Sequence, residues 1–237
     1  MEKLSYFLIG AIVVILAFGG WAVHYYRSQN SSINKANQLA LNNYQATSTL
    51  PVDSSVQYNQ QNWTAYDNAQ YGFTLKYPAD IALIKLGDGS LSYDWESFTD
   101  FQGVKIAQVF IPQSFEPNTN FSGAWVNIGQ SSNPQAVANC LNPYPNPSAF
   151  SEQAATTSQT INNIVFSVSL GVDAGNNNTY KFTGYRTIRN NQCFAVNLVV
   201  HYSNFQNYPQ GVIQEFNYNK AYSLLNEILQ TFTFINI

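Results

Sequence analysis

Apolar and polar positions along the chain fall into three regimes. Residues 4–23 carry no charge and one clearly polar side chain, Ser5, and the run 7–18 is apolar on every face of a helix. Such a stretch crosses a membrane, because at ~1.5 Å per residue it reaches ~30 Å, the thickness of a hydrocarbon core. Trp21, Tyr25 and Tyr26 then fall at the interface, where amphipathic rings settle. The competing reading is a cleaved signal peptide, with Gly20 and Ala22 at the positions a signal peptidase inspects. The apolar run is longer than an ordinary signal core, however, and bulky Trp21 interrupts the small-residue pattern, so a retained single transmembrane helix is expected. Lys3 precedes it and Arg27 and Lys35 follow it, which leaves orientation to be decided by composition.

Residues 28–61 are dominated by Asn, Gln, Ser and Thr and read as a polar linker. Ile33, Ala36, Leu39, Ala40 and Tyr44 keep a helical spacing, so the anchor helix can run on before the chain loosens around 47–55. Fully flexible, this tether would hold the next domain ~30 Å from the membrane on average.

Residues 63–237 alternate in strand fashion and suffice for one domain. Tyr71, Phe73, Leu75 and Tyr77 alternate with smaller or polar residues, predicting two short strands about an Asp67-Asn68 turn, the second ended by Pro78. Further strands are expected at 81–86, 90–98, 104–111 and 123–129, and a short helix over 134–141 capped by Asn133. A loop with Pro143, Pro145 and Pro147 follows, then polar residues to Thr160 with no strand pattern. Beyond it, 164–172, 180–188 and 192–202 form a meander with turns at 175–178 and Asn190-Asn191, and Phe194, Val196, Leu198, Val200 and Tyr202 share one face. Asn217 caps a helix to about Leu229 whose Ala221, Leu224, Leu225 and Ile228 line one side, and 231–235 is a closing strand. The fold class is α+β: one antiparallel sheet flanked by a few helices, preceded by the transmembrane helix.

Composition places this domain. The chain is 15% aromatic with 16 Tyr and 16 Phe, only 10% charged, and carries a formal net charge of -3. With no basic cluster, nucleic acid is excluded as a partner, since phosphate binding needs converging Lys and Arg. Low charge with abundant neutral polar residues is common in envelope and secreted proteins, so the domain is expected outside the cytoplasm and the amino terminus inside. The two cysteines, Cys140 and Cys193, are then expected to pair. Cys193 faces away from Phe194 and Val196, so the helix of Cys140 should cover one sheet face and the helix of Leu224 and Ile228 the other.

The opening Tyr71-Gly72-Phe73-Thr74-Leu75-Lys76-Tyr77-Pro78, preceded by Trp63 and Tyr66, resembles the first hairpin of PsbP-like domains. The end, from Leu224-Leu225 through Ile228-Leu229 to Thr231-Phe232-Thr233-Phe234, resembles that family's last helix and "TF.F" tail. The resemblance implies an antiparallel sheet between helices in a membrane-anchored envelope protein, and a domain that binds or assists assembly rather than catalyses. It touches the two ends of the domain, and no family site maps onto this chain by residue.

Candidate chemistry is sparse. His201, on the strand face shared with Cys193 and Asn197, is the sole His of the domain, and no Gly-x-Ser-x-Gly motif accompanies it, so no catalytic residue is expected. Asp88, Asp94, Glu96 and Asp100 are the densest acids, but Gly89 does not fit a calcium-loop spacing, so neither metal nor cofactor is expected. The sequons at Asn62, Asn120 and Asn177 are what chance supplies in so Asn-rich a chain. Tyr144 and Phe150, on the proline-stiffened loop, are the candidate partner-binding residues. The expected partners are the lipid bilayer, through the N-terminal helix, and an envelope protein. A glycan is the alternative, with Trp95 and Trp125 as sugar platforms or paired carboxylates as a hydrolase.

Overall fold

The computed structural model describes residues 58–86, 91–92, 95–96, 101–142 and 151–235, with backbone alone over 151–156. The anchor at 4–23 and nearly all of the linker at 28–61 lie outside the described residues. Among the described residues no helix is long and apolar enough to cross a membrane.

Three Asn-Asn pairs shape the second half of the domain. Asn162 and Asn163 (φ 49° and 64°), Asn176 and Asn177 (48° and 69°) and Asn190 and Asn191 (50° and 57°) all take the left-handed conformation. Two consecutive left-handed residues make the hairpin turn whose twist matches its flanking strands, and Asn tolerates that region better than other side chains with a Cβ. The turns join β6 (Ser151–Ile161), β7 (Ile164–Gly175), β8 (Asn178–Arg189) and β9 (Gln192–Ser203) into a meander. β9 pairs with β5 (Phe121–Ser131), β5 with β4 (Val104–Pro112) and β4 with β3 (Ala82–Lys85), all antiparallel. The result is a seven-stranded sheet in the order β3-β4-β5-β9-β8-β7-β6.

The expected single sheet is in fact two. β1 (Trp63–Asn68), β2 (Phe73–Pro78) and β10 (Thr233–Phe234) form a separate sheet in the order β1-β2-β10. β1 and β10 occupy both edges of β2, the small sheet shares no ladder with the large one, and Tyr66, Phe73 and Leu75 enter the common core. Its first turn is four residues long, 69–72, rather than Asp67-Asn68. Asn68 pairs with Phe73, and its side-chain oxygen closes the turn by accepting from the Tyr71 N–H at 3.0 Å.

Two other expectations change. Residues 90–98 do not form a strand among the described positions: Ser92 makes an isolated bridge to Gly103, and the chain turns at Trp95 and Glu96. The polar residues before Asn162 are strand β6, at the edge of the large sheet.

The core lies between the inner face of the large sheet and helix α2 (Tyr218–Gln230), with the small sheet beside it. Asn217 caps α2 by accepting from the Lys220 N–H at 3.1 Å, and Ala221, Leu224, Leu225, Ile228 and Leu229 turn inward against Ala124, Val126, Ile128, Val196, Leu198 and Val200. Each fully buried Leu or Ile contributes ~1.5–3 kcal/mol. Arg189 fastens the far end, donating to the Gly72 carbonyl at 3.0 Å and the Ile235 carbonyl at 2.7 Å, with its guanidinium 4.3 Å from the Phe234 ring centre. Helix α1 (Pro134–Asn139) begins at Asn133, whose side chain accepts from the Gln135 and Ala136 N–H groups. It leads to Cys140, which is bonded to Cys193 with a Cα–Cα distance of 5.6 Å. Thus α1 and the disulfide cover the outer face of the sheet while α2 covers the inner one.

Candidate functional site

Strand register sorts the side chains of the large sheet onto two faces. Val200, Leu198, Val196 and Phe194 of β9 point to the core. Their neighbours His201, Val199, Asn197, Ala195 and Cys193 point outward, each opposite a residue of β5 and one of β8. The outer face therefore reads as successive rows running from the open end of the sheet to the disulfide.

The disulfide end is plugged. Trp95 is fully buried there with Ala136, Cys140, Cys193 and Ala195, and its indole N–H donates to the Phe101 carbonyl at 2.8 Å. Gly129 permits this approach, since a Cβ built on it would stand 2.1 Å from the Trp95 carbonyl oxygen. Trp95, a possible sugar platform on sequence grounds, is instead a packing element.

The open end is aromatic. Asp173, Tyr180, His201 and Gly123 are aligned across four strands, and Gly171, Phe182, Val199, Trp125 and Phe110 form the next row. The Tyr180 and His201 rings stack at 4.1 Å with 7° between their planes. Trp125 lies 6.2 Å from Tyr180, 6.4 Å from His201 and 6.5 Å from Phe110. These four rings are half-buried, whereas Phe182 and Val199 beneath them are buried and form an apolar cluster separate from the main core. The tip of the Phe182 ring fills the space over Gly171, where a Cβ would stand 1.6 Å from Cζ. His201 Nε2 is 2.8 Å from the Asn178 side-chain oxygen, and burial depresses the imidazole below its ordinary value, favouring the neutral ring with its proton on Nε2. Burial also raises the Asp173 carboxyl above the usual carboxylate range.

Between the rings and the plug lies a polar row. Asn127 and Asn197 face each other across β5 and β9, 8% and 0% exposed. Among the described residues, neither polar atom of the Asn197 amide has a hydrogen-bond partner, nor has the Asn127 side-chain oxygen. Beyond them Arg186, also buried, donates to Ser169 Oγ at 3.1 Å and to the Asn142 carbonyl at 2.6 Å.

Of the residues expected to bind a partner, Tyr144 and Phe150 lie outside the described residues, as do Asp88, Asp94 and Asp100. The ends of their loop are placed: Asn142 is held by Arg186 on the outer face, and Ser151 opposes Val172 on β7. Asn120 cannot be glycosylated, because its buried amide donates to the Ser203 carbonyl at 2.6 Å and accepts from the Phe216 N–H at 2.9 Å. Among the described residues no three His, Cys, Asp or Glu side chains gather as a metal site. A hollow of about 840 Å³, lined by Tyr58, Asn59, Asn62, Trp63, Pro78, Ala79 and Asp80, opens where the chain enters the domain. Its Asn59 side chain is already committed to the Gln61 N–H at 3.0 Å, so the outer sheet face is the stronger candidate.

No protein-family model and no curated protein matches the chain. Among solved structures, it is similar to the solution structure of cyanobacterial PsbP from Synechocystis sp. PCC 6803, at 8% identity over 78% of this chain and 98% of that one, with a TM-score of 0.39. It is also similar to LpqN, described as involved in cell envelope biogenesis of Mycobacterium tuberculosis, at 11% identity over 73% of this chain and 91% of that one, with a TM-score of 0.35. At these scores the likeness assigns no role to any residue.

Proposed function

We propose that the chain is a membrane-tethered, extracytoplasmic binding module without catalytic activity, and that it meets its envelope partner through the outer face of the seven-stranded sheet. The observation that carries this reading is the half-exposed group of Trp125, Tyr180, His201 and Phe110 beside two buried amides that lack full pairing among the described residues. Half-exposed rings on a stiff sheet offer large contact area with few rotors to freeze on binding. The Cys140–Cys193 bond supports the compartment, because such bonds persist where the surroundings are oxidising. Tethering rests on the apolar run 4–23 and the polar linker 28–61.

A non-catalytic role is favoured by what surrounds His201. Its ring is committed to Tyr180 and Asn178, and the neighbouring rows supply rings and amides rather than a nucleophile with an orienting acid. The test is retention of the full chain on envelope fragments of its own source, comparing the native protein with Trp125→Ala. The expected result is retention that falls with the substitution; equal retention would show that this face is not the contact.

A further inference from the structure

We propose that the open half of this face binds an uncharged glycan, with a sugar ring laid on Trp125 and its hydroxyls directed to Asp173 and to Asn127, behind which Asn197 lies fully buried. The inference rests on the binding-face reading above and names its ligand class.

The arrangement asks for a ligand that is apolar on one side and rich in neutral hydrogen-bonding groups on its edge. Trp125 is the ring left for the C–H side of a pyranose, since Tyr180 and His201 stack on each other beside it at 59° and 65° to its plane, and Phe110 extends the surface beyond Trp125. One row away, Asn127 and Asn197 together leave three buried polar atoms without a partner among the described residues: both atoms of the Asn197 amide and the Asn127 oxygen. Trp125 and Asn127 are two apart on β5, as are Val199 and Asn197 on β9, so rings and amides lie on the same side of the sheet. An amide presents donor and acceptor together, which suits a hydroxyl that does both. Buried polar groups left unpaired are costly, and partnering by a ligand removes that cost at the moment of binding.

Charge narrows the class further. The open rows carry no Lys or Arg among the described residues, since Lys105 and Arg186 stand in the row toward the plug. A phosphate-bearing ligand would therefore find no counter-charge on the rings. His201 is held neutral by burial, and Asp173 adds an acceptor for hydroxyl groups at the rim.

The test uses the full chain in a detergent free of sugar, bound to immobilised envelope fragments and challenged with three soluble competitors. These are untreated fragments, fragments digested with protease, and fragments oxidised with periodate, which cleaves the vicinal diols of sugar rings. Protease-digested material is expected to compete as well as untreated material, and periodate-oxidised material to lose its competition. Trp125→Ala should lower affinity about tenfold or more and Trp125→Phe should retain part of it, with unchanged far-UV circular dichroism as the check on folding. Competition that survives periodate but not protease, while still depending on Trp125, would overturn the glycan and leave the binding face standing. Retention indifferent to Trp125 would overturn both.

Discussion

Replacing Asn197 by Leu should make the protein more stable and less able to bind. Asn197 is fully buried between Asn127 on β5 and Gly184 on β8, and both polar atoms of its amide lack a partner among the described residues. An unsatisfied buried donor or acceptor costs ~1–3 kcal/mol, and an apolar group of similar shape removes that cost. Leu has as many side-chain heavy atoms as Asn but is bulkier, so misfit takes back ~1 kcal/mol, leaving a net gain of up to ~2 kcal/mol. For a domain of this size each kcal/mol moves the midpoint by ~2–4 °C, so Tm should rise by up to ~8 °C. Thermal unfolding under non-reducing conditions measures it, with the envelope-retention assay run on the same sample. A loss of stability above ~1 kcal/mol would refute the reasoning, because the amide would then be satisfied in the free protein. A gain in stability with binding intact would remove Asn197 from the site.

Other outcomes follow from particular contacts. Cys140→Ser with Cys193→Ser opens a loop with a sequence separation of 53 and should cost about 4 kcal/mol in denaturant unfolding, if chain entropy dominates. Gly129→Ala would place a methyl 2.1 Å from the Trp95 carbonyl oxygen, so it should displace the plug, shift indole fluorescence to the red and cost ~1–3 kcal/mol. Lys181 lies largely buried on the inner face, 4.8 Å from the Tyr218 ring centre, and burial pulls its ammonium down to about 8 from 10.5. The unfolded chain then holds that proton more tightly than the folded one, so this contribution to stability is complete above pH ~10.5 and declines as pH falls towards ~8. Unfolding at pH 8 and pH 10 should show a rise in the native protein that Lys181→Met lacks. Tyr144→Ser with Phe150→Ser should leave Tm nearly unchanged and weaken envelope retention if their loop, whose base Arg186 holds, reaches the partner.

The meander was legible because burial on the inner face is written with a period of two in Phe194, Val196, Leu198 and Val200, and because Asn190-Asn191 marks the turn. Strand β6 was not legible. It is an edge strand whose residues 157–160 are exposed, so nothing selects apolar side chains along it, and its surviving signal is a second Asn-Asn pair at 162–163. The segment around Trp95 misleads for the opposite reason. Its apolar residues suggest alternation, yet Trp95 is buried as a plug over Gly129 and Gly103, not as one rung of a ladder. The second sheet was hidden because pairing partners of β2 come from opposite ends of the domain, β1 just before it and β10 at Thr233–Phe234.

The site was illegible for a deeper physical reason. Trp125, Tyr180 and His201 belong to β5, β8 and β9, and only the registers Trp125↔Val199 and Tyr180↔His201 bring their rings together. No local spacing encodes a coincidence of three strands. Each residue read alone has a bland account: Trp125 as core in an apolar strand, His201 as a lone structural imidazole, Asn197 as one more Asn. A sheet buried on both faces also blurs the alternation that would separate inward from outward positions, and here the outer face buries Phe182 and Val199 while the inner face buries Leu198 and Val200. The break in that pattern is the Asn127 and Asn197 pair, polar where the flanking row is apolar and buried where polar groups are costly. A fold selected for stability alone would fill that row with Val or Leu. Keeping two amides there is a cost the free protein bears, and the aromatic floor beside them supplies the ligand geometry that would offset it.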